Sequence, residues 1–284
     1  METTGMGAEA PGVGMQRLGI EHLSVFGLPP VEFVNLAADL GLHYIATGLT
    51  AFPFNPHGYA AFSLREDAAL RREMIAAMRD RDVSISLGEG FSVRTQKDMS
   101  GSTGDLDIMR ELGVTRVNTV GLDPDLARNF DQFGVLAELA AARGMETTLE
   151  FGPGLTVGNL ATALAAIQHV GRPDFRLLID TMHLSRSGST AADLAAIDPA
   201  LIGYAQLSDA PLRGRIPDYM DEAMFNRMVP GEGELPLRDI LAALPPDTVI
   251  GLEVPLRSQA ETGIGPEVRL RRCVDAGKRL LAGI

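Results

Sequence analysis

Eight short apolar runs, each followed by a loop and a stretch of helical periodicity, recur along this chain. They are RLGIEHLSV from Arg17, HYIATGL from His43, VSISLG from Val83, RVNTVGL from Arg116, METTLEF from Met145, RLLIDTM from Arg176, LIGYAQLS from Leu201 and TVIGLEV from Thr248. Each is short, apolar and often β-branched, the pattern of a strand covered on both faces. Strands that alternate with helices call for parallel pairing. Apolar residues at helical spacing mark 30–40, 66–80, 125–143, 157–170 and about 266–282. Pro30 opens the first of these and Gly41 stops it. No proline- or serine-rich linker interrupts the series, and no GxGxxG follows the first strand, which disfavours a dinucleotide-binding sheet. The sequence therefore predicts a single (β/α)8 TIM barrel over 16–284. Residues 1–15 have neither a basic start nor an apolar core and are expected to form a disordered leader.

Composition removes several function classes. The net charge is −12, from 25 Lys+Arg against 37 Asp+Glu, which repels phosphate backbones. The RLRRC segment near Arg269 reads as a solvated helix face, not a nucleic-acid stripe. No apolar run approaches the roughly 18–20 residues that span a bilayer. The single cysteine, Cys273, excludes an internal disulfide and reads as an inert helix-face thiol. A cytoplasmic protein with a small-molecule substrate is expected, and neither nucleic acid nor membrane is an expected partner.

Four oxygen-bearing side chains end separate strand-like runs: Glu150 in TTLEFGPG, Asp180 in RLLIDTMHL, Gln206 in IGYAQLSDA and Glu253 in VIGLEVP. A carboxylate behind an apolar strand is costly unless something pairs with it. Four such groups on successive strands point to ligands converging on one divalent metal ion. An all-oxygen set favours Mg²⁺ or Mn²⁺ over zinc. The spacings from Glu150 to Asp180 and from Asp180 to Gln206 each match one βα unit. The longer interval to Glu253 leaves an insertion over 211–236 at the catalytic rim of a barrel, a natural lid. Glu150 and Glu253 stand three places apart in a ring of eight and should flank a bound substrate on different sides.

The segments LEFGPG, DTMH, QLSD, GEGELPL and GLEVP, in this order over about 17–282, resemble the xylose-isomerase-like TIM-barrel superfamily of sugar isomerases, epimerases and related enzymes. The resemblance implies that Glu150, Asp180, Gln206 and Glu253 hold one divalent ion, Mn²⁺ or Mg²⁺. It makes Glu150 and Glu253 the catalytic acid/base pair and His183 a substrate ligand. It also implies a basic residue after QLSD for a substrate oxygen or carboxylate; Arg213 is the candidate, with Arg215 competing. Glutamine at position 206 resembles hydroxypyruvate isomerases and some 3-dehydroshikimate dehydratases, where ketose 3-epimerases carry histidine. The expected activity is isomerisation or epimerisation of a small sugar, keto-sugar or hydroxy-keto acid through an enediolate. The alternative is a dehydratase of the 3-dehydroshikimate or inosose type. An AP endonuclease on the same barrel needs further histidines late in the chain, yet none of the five lies beyond His183. A non-catalytic binding protein would have lost a ligand, and all four are present.

The first half contributes His22 after strand 1, His57 in FPFNPHGY and Glu89 in SLGEGF as candidate substrate contacts, all expected at the pocket mouth. Phe52, Phe54 and Phe91 are candidate walls or plain core, and Arg94 is a candidate for an anionic substrate group. The insertion is expected to carry Arg213 over the pocket. Its methionines Met220, Met224 and Met228 would also suit a partner surface in a homo-oligomer.

Overall fold

The computed structural model describes residues 17–284. The expected leader over 1–15 lies outside the described residues. Eight parallel strands close into a barrel in sequence order: β1 (Leu18–Ile20), β2 (Tyr44–Thr47), β3 (Ser84–Val93), β4 (Arg116–Gly121), β5 (Glu146–Glu150), β6 (Phe175–Asp180), β7 (Ile202–Leu207) and β8 (Ile250–Leu252). Around them run α1 (Pro30–Asp39), α2 (Ala68–Arg81), α3 (Thr103–Glu111), α4 (Leu126–Ala141), α5 (Leu160–Val170), α6 (Thr181–Arg186) and α7 (Ala191–Ala195). The series continues with α8 (Tyr219–Phe225), α9 (Leu237–Ala242), α10 (Arg257–Glu261) and α11 (Pro266–Leu281). This is a single (β/α)8 TIM barrel, and the five helices expected from periodicity fall within a few residues of their expected bounds.

Caps explain the helix starts. Asp67, Asp125 and Asn159 each accept hydrogen bonds from backbone N–H groups in the first turn of α2, α4 and α5. Most of the apolar core lies between barrel and helices, while Ala46, Leu87, Leu178 and Tyr204 form a small separate cluster. Side chains alternate along a strand, so Tyr204 and Gln206 share one face of β7, and Leu178 and Asp180 share one face of β6. No helix among the described residues is long and apolar enough to cross a membrane.

Register sets the rim. Asp180 pairs with Gln206 across β6 and β7, and Ile20 pairs with Leu252 where β8 closes on β1. The next residues, Glu21 and Glu253, therefore emerge side by side. Strand 1 is shorter than its sequence suggests: it stops at Ile20, and His22–Val25 form a 3₁₀ turn. The Ser24 hydroxyl causes this by donating to Leu252 O and accepting from Val254 N, which pulls the chain across the barrel seam. Strand 3 is longer than expected and carries Glu89 within it rather than after it.

The RLRRC segment is only partly a solvated face. Arg269 is 1% exposed, donates to Ser24 O and Ile264 O, and lies over the Phe26 ring. Cys273 is buried, and burial pushes its thiol up to about 12, consistent with an inert thiol.

Asp209 shows what the QLSD and GEGEL motifs do together. Its buried carboxylate accepts from the backbone N–H groups of Ala210, Gly231, Gly233 and Leu235, at 2.8–3.1 Å. One side chain thus ties the far end of the insertion back to β7. Asp209→Ala would leave four backbone N–H groups without their acceptor, those of Ala210 and Leu235 buried, and should cost on the order of 3 kcal/mol. That corresponds to a melting temperature lower by roughly 6–12 °C. Calorimetry showing an unchanged melting temperature would refute this account of the motif.

Candidate active site

The rim of the barrel opens into a cavity of about 620 Å³, a size suited to a small ligand. Its floor carries Glu21, Glu150 and Glu253 from strand ends and Glu89 and Asn118 from within β3 and β4, with Asp180 and Gln206 buried beside them. Glu150 is held at both oxygens. The Asn118 amide donates to Oε2 at 2.7 Å, and His183 Nε2 lies 3.2 Å from Oε1. His183 comes from the first turn of α6, whose N-cap is Asp180: the Asp180 carboxylate accepts from His183 N at 2.7 Å. The spacing in DTMH is therefore capping geometry as well as chemistry. Gly152 in LEFGPG makes room for the imidazole, since a Cβ there would stand 2.8 Å from His183 Cγ.

Arg227 lies at the centre of the site, and the sequence reading missed it. Its guanidinium donates to Asp180 Oδ2 and to Ser208 Oγ, lies 2.7 Å from Glu253 Oε2, and is anchored by Nε to Ala223 O. It is 4% exposed, a buried cation between two of the expected metal ligands. A signal was available: in EAMFNRMVP it stands among apolar residues inside an otherwise polar insertion. Arg213, the expected basic residue, is exposed and lies outside the cavity lining, as does Arg215. Arg227 is placed at the site where Arg213 was expected because α8 spans the opening and turns its C-terminal end inward.

The other sequence candidates divide. His22 and Glu89 line the cavity, with Phe52, Phe91 and Arg94. The His22 Nε2 is buried with no hydrogen-bond partner, and burial lowers its pKa to about 4, so the ring is a neutral donor or acceptor. His57 is outside the cavity lining, with its ring 5.5 Å from Tyr59. Phe54 packs between Phe26 and Phe225 instead of facing the cavity. Glu21 was overlooked although it ends its strand as Glu150 and Glu253 end theirs. It is 1% exposed and accepts from Tyr204 OH at 2.8 Å.

The insertion lies over the mouth. Met220, Ala223 and Met224 of α8 line the cavity, and the Tyr219 hydroxyl is hydrogen-bonded to His183 Nδ1. Arg186 clamps it to α6 through Glu222 at 3.1 Å and Pro211 O at 2.9 Å. Phe225 reaches across to Phe54 and Phe52 of the loop after β2.

Electrostatics at the floor are one-sided, with five carboxylates facing one arginine and one histidine. Burial and the neighbouring Glu253 push Glu21 up to about 8. Burial raises Glu253 to about 7, with Arg227 pulling against Glu150 and Asp180. Burial and Glu21 hold Glu89 well above the usual carboxylate range. Burial would also raise Asp180, but Arg227 and His183 outweigh it and hold it low. The same ion pairing acts in reverse on His183, where burial is outweighed by Asp180 and Glu150 and the pKa is raised.

A hard divalent cation fits this donor set. Gln206 Oε1 is buried without a hydrogen-bond partner, and the surplus of carboxylates lacks positive charge. Among the described residues no three His, Cys, Asp or Glu groups converge closely enough to hold an ion as they stand. The Arg227 guanidinium stands between two of them, so an ion and this pose of Arg227 compete for the same oxygens.

The sequence matches the model of the xylose isomerase-like TIM barrel family over residues 34–273, and the chain belongs to that family. No curated protein matches it. Among solved structures it is similar to the IolI protein with a bound zinc atom, at TM-score 0.77 and 18% identity, covering 94% of this chain and 98% of that one. It is also similar to the probable 3-DHS dehydratase AsbF of petrobactin synthesis from Bacillus anthracis (TM-score 0.70, 14% identity, 94% and 98% covered). A third is D-psicose 3-epimerase in the presence of D-fructose (TM-score 0.67, 14% identity, 94% and 97% covered). At these identities the likeness carries the fold alone.

Proposed function

We propose that the protein is a divalent-metal-dependent isomerase or epimerase of a small sugar, keto-sugar or hydroxy-keto acid, working through an enediolate. The observation that carries this reading is the pair Glu150 and Glu253. They line one cavity from β5 and from the end of β8, with the unpartnered Gln206 oxygen and Asp180 between them. Glu150, Asp180, Gln206 and Glu253 would hold the ion, and their oxygen-only donors favour Mn²⁺ or Mg²⁺. Bound there, the ion would supply Lewis-acid stabilisation of negative charge on a carbonyl oxygen.

The chain's own groups supply the rest. One glutamate takes a proton from carbon beside the carbonyl, and the other returns one to the neighbouring carbon or the opposite face. Asn118 and His183 aim Glu150 for this task. His22 and Glu89 offer hydrogen bonds to substrate hydroxyls, while Phe52, Phe91 and the methionines of α8 exclude water. Arg227 reaches the same space and suits a substrate oxygen carrying negative charge.

A dehydratase reading rests on a separate observation. Arg94 lines the cavity and bonds Ser92 Oγ, with no carboxylate partner among the described residues, which suits a substrate carboxylate of the 3-dehydroshikimate kind. Both readings begin with the same proton abstraction. Purified protein with Mn²⁺, incubated in D₂O with a panel of ketoses, hydroxypyruvate and 3-dehydroshikimate and followed by NMR, separates them. An isomerase or epimerase yields a rearranged product with deuterium at the reacting carbon, and a dehydratase yields an unsaturated product and water. No turnover and no exchange across the panel would sink both.

A further inference from the structure

Gln206 is the one expected ligand whose side chain has two nearly superimposable ends of opposite character. Its amide oxygen can accept or coordinate and its amide nitrogen cannot, so something must set which end the protein holds and which it leaves for a ligand. The nitrogen donates to Glu21 Oε2 at 3.3 Å and to Glu253 Oε1 at 3.4 Å. With both carboxylates ionised, the reversed amide would set its oxygen against Glu21 Oε2 and Glu253 Oε1 and leave those two oxygens without this donor, an electrostatic penalty in a buried site. Glu253 is itself an expected ligand, which leaves Glu21 as the acceptor free to hold the amide.

Glu21 is built into that place. Tyr204, two residues before Gln206 on the same face of β7, donates its hydroxyl to Glu21 Oε1 at 2.8 Å and lies 3.1 Å from Ser86 Oγ. On the neighbouring strand, position 251 is glycine, and any Cβ there would stand 1.4 Å from Glu21 Oε1. The carboxylate thus fills a space that β8 keeps open. We infer that Glu21 is a positioning residue: held by Tyr204 in the space above Gly251, it fixes the Gln206 amide with its nitrogen on the carboxylates and its oxygen free of any protein donor, available to a cation. It does for an amide ligand what a carboxylate behind a metal-bound histidine does for an imidazole. This inference rests on the metal reading for its consequence, and on geometry alone for the orientation.

The test uses the full chain with Mn²⁺ alone as the probe, and titration calorimetry as the readout. The proteins are wild type, Glu21→Ala, Glu21→Gln, Gln206→Ala and the Glu21→Ala/Gln206→Ala pair, each checked for folding by circular dichroism. Glu21→Ala should weaken Mn²⁺ by roughly 10–100-fold, the effect of losing a partner that orients a ligand. Glu21→Gln keeps an acceptor oxygen and should retain most of the affinity. The double variant should bind no more weakly than Gln206→Ala. Equal losses from Glu21→Ala with and without Gln206 would mean that Glu21 acts as a bare charge or a ligand, and the inference falls. It falls equally if Glu21→Gln is as weak as Glu21→Ala. Should Glu21→Ala not fold, Tyr204→Phe takes its place in the cycle, since it removes the anchor of Glu21.

A metal-free arm separates this inference from the reading beneath it. In protein with isotope-labelled glutamine, the Gln206 side-chain amide signal, assigned by its loss in Gln206→Ala, should shift and exchange faster in Glu21→Ala. If wild type takes up no Mn²⁺, the metal reading fails and this signal alone decides. An unchanged Gln206 amide then overturns the inference.

Discussion

Glu150→Gln and Glu253→Gln should each reduce kcat by about 10²–10⁴-fold, the usual contribution of one positioned general acid or base. The amide matches the carboxylate in size and keeps one oxygen for a cation, so Mn²⁺ binding should weaken far less than turnover. The two variants should differ in detail. Glu150 sits between two donors, Asn118 and His183, and an amide at 150 can turn its oxygen to only one of them. Glu253 faces Arg227 and the Gln206 nitrogen, so an amide there loses the ion pair as well as the base. Turnover in D₂O, with substrate exchange measured separately from product formation, gives the check. Near-normal turnover in either variant removes that glutamate from the proton transfer.

Much of this site was legible because barrel chemistry follows strand ends, and strand ends follow hydrophobic runs. Glu150, Asp180, Gln206 and Glu253 each closed such a run, and the barrel brings all four to one rim. Glu21 met the same criterion and was passed over because the apolar run continues through Leu23 and Val25, so the strand seemed to extend past it. The real end depends on Ser24 bonding across the seam to Leu252, a long-range contact that no local pattern reveals. Arg227 was hidden for a related reason. Its place depends on the path of the insertion, which is set by Asp209 gathering the glycine-rich return and by Arg186 gripping Glu222. Counting forward from QLSD gave Arg213, correct in residue type but set on the exposed part of the excursion. His57 shows the opposite error, a polar residue in a rim loop that packs beside Tyr59 and not into the cavity. Periodicity gives elements, but the direction of a loop side chain is decided by partners far along the chain.

Arg227→Met should show the largest stability effect and should also report on the ion. Methionine preserves apolar bulk beneath α8 but leaves Asp180, 1% exposed, and Glu253, 8% exposed, without their shared cation. Breaking a buried ion pair from one side typically costs about 3–5 kcal/mol. In metal-free protein the melting temperature should therefore fall by roughly 6–20 °C. Saturating Mn²⁺ should then act differently on the two proteins. An ion held as proposed would have to displace the guanidinium from Asp180 and Glu253 in wild type, whereas in Arg227→Met those oxygens are free. If the variant binds tenfold more tightly, the ion adds about 1.4 kcal/mol more stabilisation at the same concentration. The melting shift on adding Mn²⁺ should accordingly be larger in Arg227→Met than in wild type, narrowing the gap between them. Equal shifts would mean that Arg227 and the ion do not share these carboxylates. The same variant should remain a poor catalyst with metal bound, because the cavity loses the cation that lies nearest to Asp180 and Glu253. A protein that becomes easier to load and yet slower to turn over would show that Arg227 serves the substrate when the ion is present and the carboxylates when it is absent.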